Sequence, residues 1–246
     1  MKLAIVQARM TSTRLPGKVL MEVLGRPLLG YQIERVQRAA RVEHVCVATT
    51  TNSSDDSIVS YCAEIGVDVF RGSEDDVLGR FRTCAAERSA SIVVRLTADC
   101  PLVDPALVDT VVDELLRPPA CDYVSNALDR TFPVGLDCEA MTFAALEAAD
   151  TNATDPRERE HVTPYIYTRP GEFDIRRVRC PKQLSQHRWT VDTRADFQLV
   201  ERIISSLYPE NRTFGWEDVL DLVDANPGWG QANAMVPHRQ WDTDPD

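Results

Sequence analysis

Short apolar runs alternate along the chain with longer stretches in which apolar positions recur at helical spacing. The runs are nearly continuous in Val, Ile and Leu, as expected for strands buried on both faces. Four such runs lie at residues 3–7, 45–49, 67–70 and 92–96. The helical stretches between and after them lie at residues 28–40, 57–65, 77–88 and 106–116. Strands that alternate with helices in this way predict an α/β fold, with a mostly parallel sheet and helices on both of its faces.

Beyond residue 117 this rhythm changes, starting at a Pro-Pro pair. Shorter strand-like runs lie at residues 121–124, 132–138 and 173–178, around a helical stretch at 143–149. Two further helices are predicted at 195–207 and 216–223, and from residue 226 Pro, Gly, Asn and Asp accumulate. We therefore predict one domain over 1–225 and an irregular tail over 226–246. Within the domain, a region from about residue 118 to 180 should form a small inserted cap or dimerisation region beside the sheet.

The charges of the 246 residues are unevenly distributed. The chain has 27 Lys and Arg against 38 Asp and Glu, which gives a net charge of −11. Residues 1–41 nevertheless hold eight basic and two acidic residues, a local excess of +6. An acidic chain is a poor partner for the nucleic-acid backbone, because neutralising phosphates requires an excess of Lys and Arg. We expect no nucleic-acid partner, and the basic beginning of the chain needs another explanation.

The cysteine pattern and the hydropathy indicate where the protein works. Seven widely spaced cysteines form no C-x-x-C pair, so neither a zinc ribbon nor a disulfide framework is predicted. Most of them should be small buried hydrophobic residues in a reducing compartment. No targeting segment and no apolar run of 18 residues is present. We expect a cytoplasmic protein with no membrane partner.

The loop that follows the first strand, residues 8–18, concentrates groups that bind phosphate. It holds three cations, Arg9, Arg14 and Lys18, together with three hydroxyl side chains. Cations, hydroxyls and backbone amides at the end of a buried strand suit a polyphosphate. The loop is not a Walker A motif, which requires Gly at the position of Ser12 and Ser or Thr at the position of Val19. The sequence therefore predicts polyphosphate binding without P-loop NTPase chemistry.

Two aspartates follow strand-like runs and are candidates for a metal site. Asp99 lies just past the run at 92–96, and Asp192 follows the segment W-T-V at 189–191. Ligands of open α/β sheets bind beyond the carboxyl ends of the strands, where two carboxylates that meet would suit one Mg²⁺. By spacing alone, Asp99 fits a turn or a helix cap equally well. We interpret Asp55 and Asp104 as helix caps.

Several segments resemble one enzyme family. V-Q-A-R at 6–9, continuing to T-R-L-P-G-K at 13–18, is similar to the signature of cytidylyltransferases, including those that activate 3-deoxy-manno-octulosonate and acylneuraminate sugars. The most similar branch is that of the spore coat polysaccharide biosynthesis proteins, SpsF. Five more segments resemble this branch in the expected order: G-S-E-D-D-V-L-G-R (72–80), R-L-T-A-D-C-P-L-V-D-P (95–105), P-V-G-L-D-C-E (133–139), H-V-T-P-Y-I-Y (161–167) and R-W-T-V-D-T (188–193). The resemblance covers residues 1 to about 222.

The resemblance implies a Rossmann-like nucleotidyltransferase sheet of the GT-A type. It implies transfer of CMP from CTP to a nonulosonate-like sugar acid for a surface polysaccharide or a specialised glycan, with Mg²⁺-dependent release of pyrophosphate, by a homodimer. The catalytic residues it implies are Arg14, Lys18, Asp99 and Asp192, with Mg²⁺ on the two aspartates. The nucleotide-binding residues would be Ala8, Arg9, Met10, Thr11, Ser12, Thr13, Arg14, Lys18, Thr49, Arg80 and Thr97. The acceptor-binding residues would be Asn126, Asp137, Glu139 and His161.

Three alternatives stay open from the sequence. In the first, the acceptor is a sugar phosphate or phosphonate, or the nucleotide is another NTP. In the second, the chain is a glycosyltransferase of the same fold. Against this, Asp99 lacks the D-x-D pattern of those enzymes, and a glycosyltransferase has less use for a loop that binds triphosphate. In the third, the chain is a nucleotide-binding regulator without catalysis, and the presence of Lys18, Asp99 and Asp192 is evidence against it.

Overall fold

The predicted sheet lies at the centre of the protein. The structure is a computed structural model and describes residues 1–230, Asn233 and Val236. The strands are β1 (Lys2–Gln7), β2 (Glu22–Val23), β3 (Arg26–Pro27), β4 (His44–Thr50), β5 (Asp68–Gly72), β6 (Ile92–Thr97), β7 (Tyr123–Ser125), β8 (Glu139–Thr142) and β9 (Ile175–Arg177). Seven of them form one sheet in the order β5–β4–β1–β6–β8–β7–β9, and β2 pairs with β3 in a separate hairpin. Within the described part of this sheet β8 alone runs antiparallel to its neighbours. The predicted mostly parallel sheet is confirmed.

Helices cover both faces of the sheet, as predicted. They are α1 (Leu28–Gln37), α2 (Asp56–Glu64), α3 (Val77–Glu87), α4 (Pro105–Leu116), α5 (Phe143–Asn152), α6 (Pro156–His161), α7 (Pro164–Tyr167), α8 (Arg194–Leu207) and α9 (Trp216–Ala225). Alternate residues of β1 point to opposite faces, so Ala4 and Val6 pack with α1, α2 and α4, whereas Leu3 and Ile5 pack with α3, α5 and α7. A third apolar cluster joins α8 and α9 around the fully buried Trp189.

The cysteines have the buried positions that the sequence predicts. All seven cysteines are unpaired and buried, and several lie in the apolar clusters on the two faces of the sheet. Among the residues that the structure describes, no helix combines the length and the apolar character needed to cross a membrane. The predicted irregular tail at 226–246 lies mostly outside the described residues.

The region 118–180 differs from its prediction. It was expected beside the sheet, but its strands β7, β8 and β9 belong to the sheet itself. The strand predicted over 132–138 is absent from this part of the structure, and β8 begins only at Glu139. Asn126 holds the intervening loop from inside, because its amide donates to the Leu136 carbonyl oxygen and accepts from the Cys138 N–H, both at 2.8 Å. A side chain that satisfies these backbone groups replaces the pairing that a strand would give them.

The loop 132–138 also makes a close contact that only glycine permits. Gly135 has a φ of +105°, and a Cβ atom there would lie 2.5 Å from the backbone nitrogen of Thr190 and 2.5 Å from the carbonyl carbon of Trp189. Val134 forms an isolated bridge with Arg188 beside this contact. The apolar pattern of 132–138 predicted a strand, but such a pattern carries no information on the close approach of another backbone segment.

We predict that Gly135→Ala lowers the free energy of unfolding by about 1–3 kcal/mol, because the added methyl group overlaps the backbone at Trp189 and Thr190. Urea unfolding measures the change. Gly171→Ala is the matched control, since a Cβ atom at Gly171 meets no heavy atom within 4 Å. Equal stability of the two variants would contradict the steric explanation.

Candidate active site

The carboxyl ends of β1 and β6 border a cavity of about 300 Å³. The loop of residues 8–18, which we call the triphosphate loop after the ligand predicted for it, forms one wall, and the beginning of α3 and the end of α6 form another. The lining residues are Gln7, Ala8, Arg9, Ser12, Thr13, Arg14, Lys18, Val19, Val77, Arg80, Arg95, Thr97, Ala98, Asp99, Glu160, His161 and Asp192. The cavity therefore lies where an open α/β sheet binds its ligands.

Asp99 and Asp192 meet at this cavity, with Lys18 between them. The Lys18 Nζ atom lies 3.2 Å from Asp99 Oδ2 and 2.9 Å from Asp192 Oδ1. Arg14 Nη2 lies 2.9 Å from the same Asp192 oxygen. Residues that are 81 and 174 positions from Lys18 in the chain thus share one cation.

Backbone contacts bring the two aspartates together. The Val191 N–H donates to the Asp99 carbonyl oxygen at 2.8 Å, and the Thr190 hydroxyl donates to the same oxygen at 3.0 Å. The turn after β6 is therefore attached to the segment that precedes α8. The distance between the two carboxylates follows from these bonds and not from their spacing in the sequence.

A buried ion pair holds Asp192 from the side away from Lys18. Arg188 Nη2 donates to Asp192 Oδ2 at 2.7 Å, and Arg188 Nε donates to Asp196 Oδ1 at 3.0 Å. Asp196 is fully buried and caps α8 together with Thr193 in a capping box. Asp192 thus turns one oxygen to Arg188 and the other to the cavity.

Electrostatics keep the central groups ionised. Burial acts to lower the pKa of Lys18, but the charges of Asp99 and Asp192 and their hydrogen bonds outweigh it, and the pKa is raised. Burial acts to raise the pKa of Asp99, and the charge of Lys18 with hydrogen bonds from Thr97 and Lys18 reverses this, so that the pKa is lowered. The cavity therefore presents a protonated amine between two carboxylates.

This arrangement is also suited to a divalent cation. Asp99 and Asp192 supply hard oxygen ligands, and both already face one positive charge at hydrogen-bonding distance. Magnesium takes few protein oxygens and fills its other positions with phosphate oxygens and water. Among the described residues no group of three or more His, Cys, Asp or Glu side chains is placed to hold a metal ion. The two-carboxylate set fits an ion that is shared with a phosphate ligand.

Most residues predicted for the nucleotide line the cavity, but three do not. The lining includes Ala8, Arg9, Ser12, Thr13, Arg14, Lys18, Arg80 and Thr97. Met10, Thr11 and Thr49 have protein partners instead: the Met10 N–H and the Thr49 hydroxyl donate to Asp55, and the Thr11 hydroxyl donates to Glu74 at 2.7 Å. Nucleotide contact by these three stays a prediction.

Asp55 does not have the role expected for it, whereas Asp104 does. Asp104 caps α4 by accepting from the N–H groups of Ala106 and Leu107 at 2.9 and 3.1 Å. The Asp55 side chain makes no capping bond to α2 and is fully buried between the triphosphate loop and the end of β4. The prediction of a helix cap was wrong because the carboxylate accepts from Thr49 and Thr50 at the end of β4, and from the distant Met10, instead of from the first N–H groups of α2.

Of the residues predicted for the acceptor, His161 lines the cavity, while Asn126, Asp137 and Glu139 are absent from its lining. Asn126 is occupied by the loop described above, and Asp137 forms an ion pair with Arg130. Glu139 accepts from Arg95, from the Tyr123 hydroxyl and from the Thr163 hydroxyl. Glu139 thus supports Arg95 in the wall of the cavity, and direct contact of the three side chains with an acceptor stays a prediction.

Sequence reasoning missed Arg95, which lines the cavity from β6 and forms an ion pair with Glu139. Its signal was present, because it is the one charged residue in the otherwise apolar run I-V-V-R-L-T. A charged residue inside a buried strand needs a partner, and a functional site is one reason for such a position. Gln7, Val77 and Glu160 were missed as well.

The chain belongs to the cytidylyltransferase family, whose model matches residues 3–208, and is a nucleotidyltransferase enzyme. It is 37% identical over 241 residues to the uncharacterized protein MJ1063 of Methanocaldococcus jannaschii, covering 97% of each chain. It is 31% identical to the spore coat polysaccharide biosynthesis protein SpsF of Bacillus subtilis, covering 92% of this chain and 95% of that one. The predicted family is thereby confirmed.

Solved structures show the same fold. A cytidylyltransferase from Leptospira borgpetersenii superposes with a TM-score of 0.90 and 34% identity, covering 96% of this chain and 99% of that one. A CMP:2-keto-3-deoxy-manno-octonic acid synthetase complexed with CTP superposes with a TM-score of 0.64 and 18% identity, covering 83% and 98%. The predicted Rossmann-like nucleotidyltransferase fold is confirmed.

We predict that Arg188→Met lowers the free energy of unfolding by about 3–5 kcal/mol, because it leaves the buried Asp196 without its charge partner. Chemical denaturation measures the loss. Arg179→Met removes an exposed ion pair with Asp129 and serves as the control, with an expected change below about 1 kcal/mol. A loss as small as that of the control would show that Arg188 does not stabilise this part of the site.

Proposed function

We propose that this enzyme transfers CMP from CTP to a nonulosonate-like sugar acid and releases pyrophosphate, in the synthesis of a surface polysaccharide or a specialised glycan. The observation that carries the proposal is the position of Lys18 between Asp99 and Asp192, beside Arg14, in the cavity at the end of β1. The similarity to SpsF, whose name states polysaccharide biosynthesis, supports the pathway class. The fold shared with a sugar-acid synthetase that binds CTP supports the substrates.

In this proposal the triphosphate loop holds the triphosphate. Arg9, Arg14 and Lys18 bring three positive charges to the cavity, and Ser12 and Thr13 line it beside them. Charge accumulates on the pyrophosphate as the bond from the α-phosphorus to its bridging oxygen breaks. Fixed cations stabilise this charge without having to reorganise, which is the main way a protein accelerates phosphoryl chemistry.

Asp99 and Asp192 would hold the metal ion, for which we propose Mg²⁺. When bound, it supplies polarisation of the α-phosphoryl group and neutralises part of the negative charge. Lys18, which pairs with both carboxylates in this structure, would then be available to pair with phosphate oxygens. The same lysine would balance the carboxylates without ligand and the triphosphate in the complex.

The acceptor would occupy the part of the cavity that Arg95, Thr97 and His161 line. One acceptor hydroxyl attacks the α-phosphorus in line with the leaving pyrophosphate. The protein must hold the two reactants in that alignment, which converts a bimolecular reaction into a unimolecular one. Arg95 is the cation on this side, and a carboxylate of the acceptor is a suitable partner for it.

The experiment that tests this function measures pyrophosphate release from each of the four NTPs with Mg²⁺, across a panel of sugar acids and sugar phosphates. We expect release from CTP with a sugar acid. Release only with a sugar phosphate or phosphonate, or only from another NTP, would replace the proposed substrates. Nucleotide-sugar hydrolysis without pyrophosphate release in any pairing would contradict the proposal itself.

We predict that Lys18→Ala and Asp99→Asn each lower kcat by about 100- to 1,000-fold, the loss typical of one electrostatic stabiliser. Steady-state pyrophosphate release measures it. Arg41→Ala is the matched control: this residue belongs to the same basic stretch but pairs with Asp113 on the surface. Near-normal turnover in either site variant would remove that residue from the proposed machinery.

The proposal includes a homodimer, as the family resemblance implies, and a cytoplasmic location, as the cysteine pattern and the hydropathy predict. The seven unpaired, buried cysteines suit a reducing compartment. Sedimentation of the purified full chain tests the oligomeric state, and a monomer at assay concentration would contradict it.

A further inference from the structure

Asp55 connects the triphosphate loop to the end of β4. The Met10 N–H donates to Asp55 Oδ1 at 2.8 Å, which reaches across 45 positions of the chain. The other oxygen, Oδ2, accepts from the Thr49 hydroxyl at 3.0 Å, from the Thr50 N–H at 3.2 Å and from the Thr50 hydroxyl. Both carboxylate oxygens are therefore used, and one of them holds the loop.

An ionised carboxylate suits this position. Four donors converge on a side chain with no solvent exposure, and a carboxylate consists only of acceptors. Burial acts to raise the pKa of Asp55, but the hydrogen bonds from Thr50, Met10 and Thr49 outweigh it and lower the pKa. A buried group satisfied in this way holds its partners in one geometry.

Met10 is the residue through which Asp55 acts on the loop. Its N–H is bound to Asp55, and its carbonyl oxygen accepts from the Gly17 N–H at 2.9 Å. The segment 11–16 is closed by that second bond, and within it Ser12, Thr13 and Arg14 line the cavity. Fixing Met10 therefore fixes the base from which these three residues face the phosphates.

We propose that Asp55 is the positioning residue of the triphosphate loop. It does not line the cavity, and it acts by holding Met10 so that the loop is already ordered when the nucleotide binds. Preorganisation removes an ordering cost from the binding free energy, so its loss weakens affinity without removing any contact to the ligand. The inference rests on the proposed function only in taking CTP as the ligand.

The test compares Mg²⁺-bound tripolyphosphate and Mg²⁺-bound CTP by calorimetry on the full chain. We expect Asp55→Ala to raise the Kd of both by about tenfold or more, and Asp55→Asn to raise it by less, since its amide oxygen can still accept from Met10 while its NH2 group meets the Thr50 N–H. Thr50→Val is the matched control, because it removes a buried bond to the same carboxylate without touching the loop. Its Kd should stay within about twofold of the unaltered protein, with CTP as with tripolyphosphate.

A native Kd in Asp55→Ala overturns the proposal, and so does a loss in Thr50→Val as large as that in Asp55→Ala. If Asp55→Ala does not fold, Asp55→Glu supplies the comparison, because it keeps the charge and displaces the carboxylate by one methylene. Native affinity in that variant overturns the proposal too. If the unaltered protein binds tripolyphosphate but not CTP, the proposed function fails and the variant series still decides the role of Asp55. If it binds neither, both are overturned.

Discussion

One ammonium group, the Nζ of Lys18, lies between two carboxylates that come from distant parts of the chain, at 3.2 Å from Asp99 and 2.9 Å from Asp192. Two negative charges this close repel each other unless a cation balances them. The triphosphate loop supplies that cation at the point where the Val191 N–H and the Thr190 hydroxyl join the segment before α8 to the end of β6. The fold around the cavity depends on this contact, and so does the chemistry proposed for it.

The same balance explains the uneven charge of the chain. Three of the eight cations in residues 1–41, Arg9, Arg14 and Lys18, line the cavity. Others in that stretch have structural partners: Arg35 donates to the Val103 and Phe214 carbonyl oxygens, and Arg41 pairs with an aspartate on the surface. The local excess of positive charge is thus not a general anion-binding patch. The three cations with a proposed role lie together at one cavity of about 300 Å³.

Behind each wall of the cavity stands a buried carboxylate that does not line it. Asp55 holds Met10 and the triphosphate loop, Asp196 holds Arg188 and through it Asp192, and Glu139 holds Arg95. All three are nine-tenths buried or more, and each accepts several hydrogen bonds. Active sites commonly rely on such supporting residues, since a catalytic side chain acts well only when its own orientation is fixed.

The sequence by itself determined the sheet, the helices on both faces and the loop that carries Arg9, Arg14 and Lys18, because these follow from local periodicity and from residues adjacent in the chain. It also predicted a metal site at Asp99 and Asp192, through their positions after apolar runs and through the family resemblance, and both residues line the cavity. It misassigned 132–138 and Asp55, since the contacts of Gly135 with Trp189 and of Asp55 with Met10 join segments that are 54 and 45 residues apart. Only the tertiary structure decided that the two aspartates share Lys18, that Arg95 faces the cavity and that Glu139 lies behind it, because pairing between distant segments leaves no periodic trace in a single sequence.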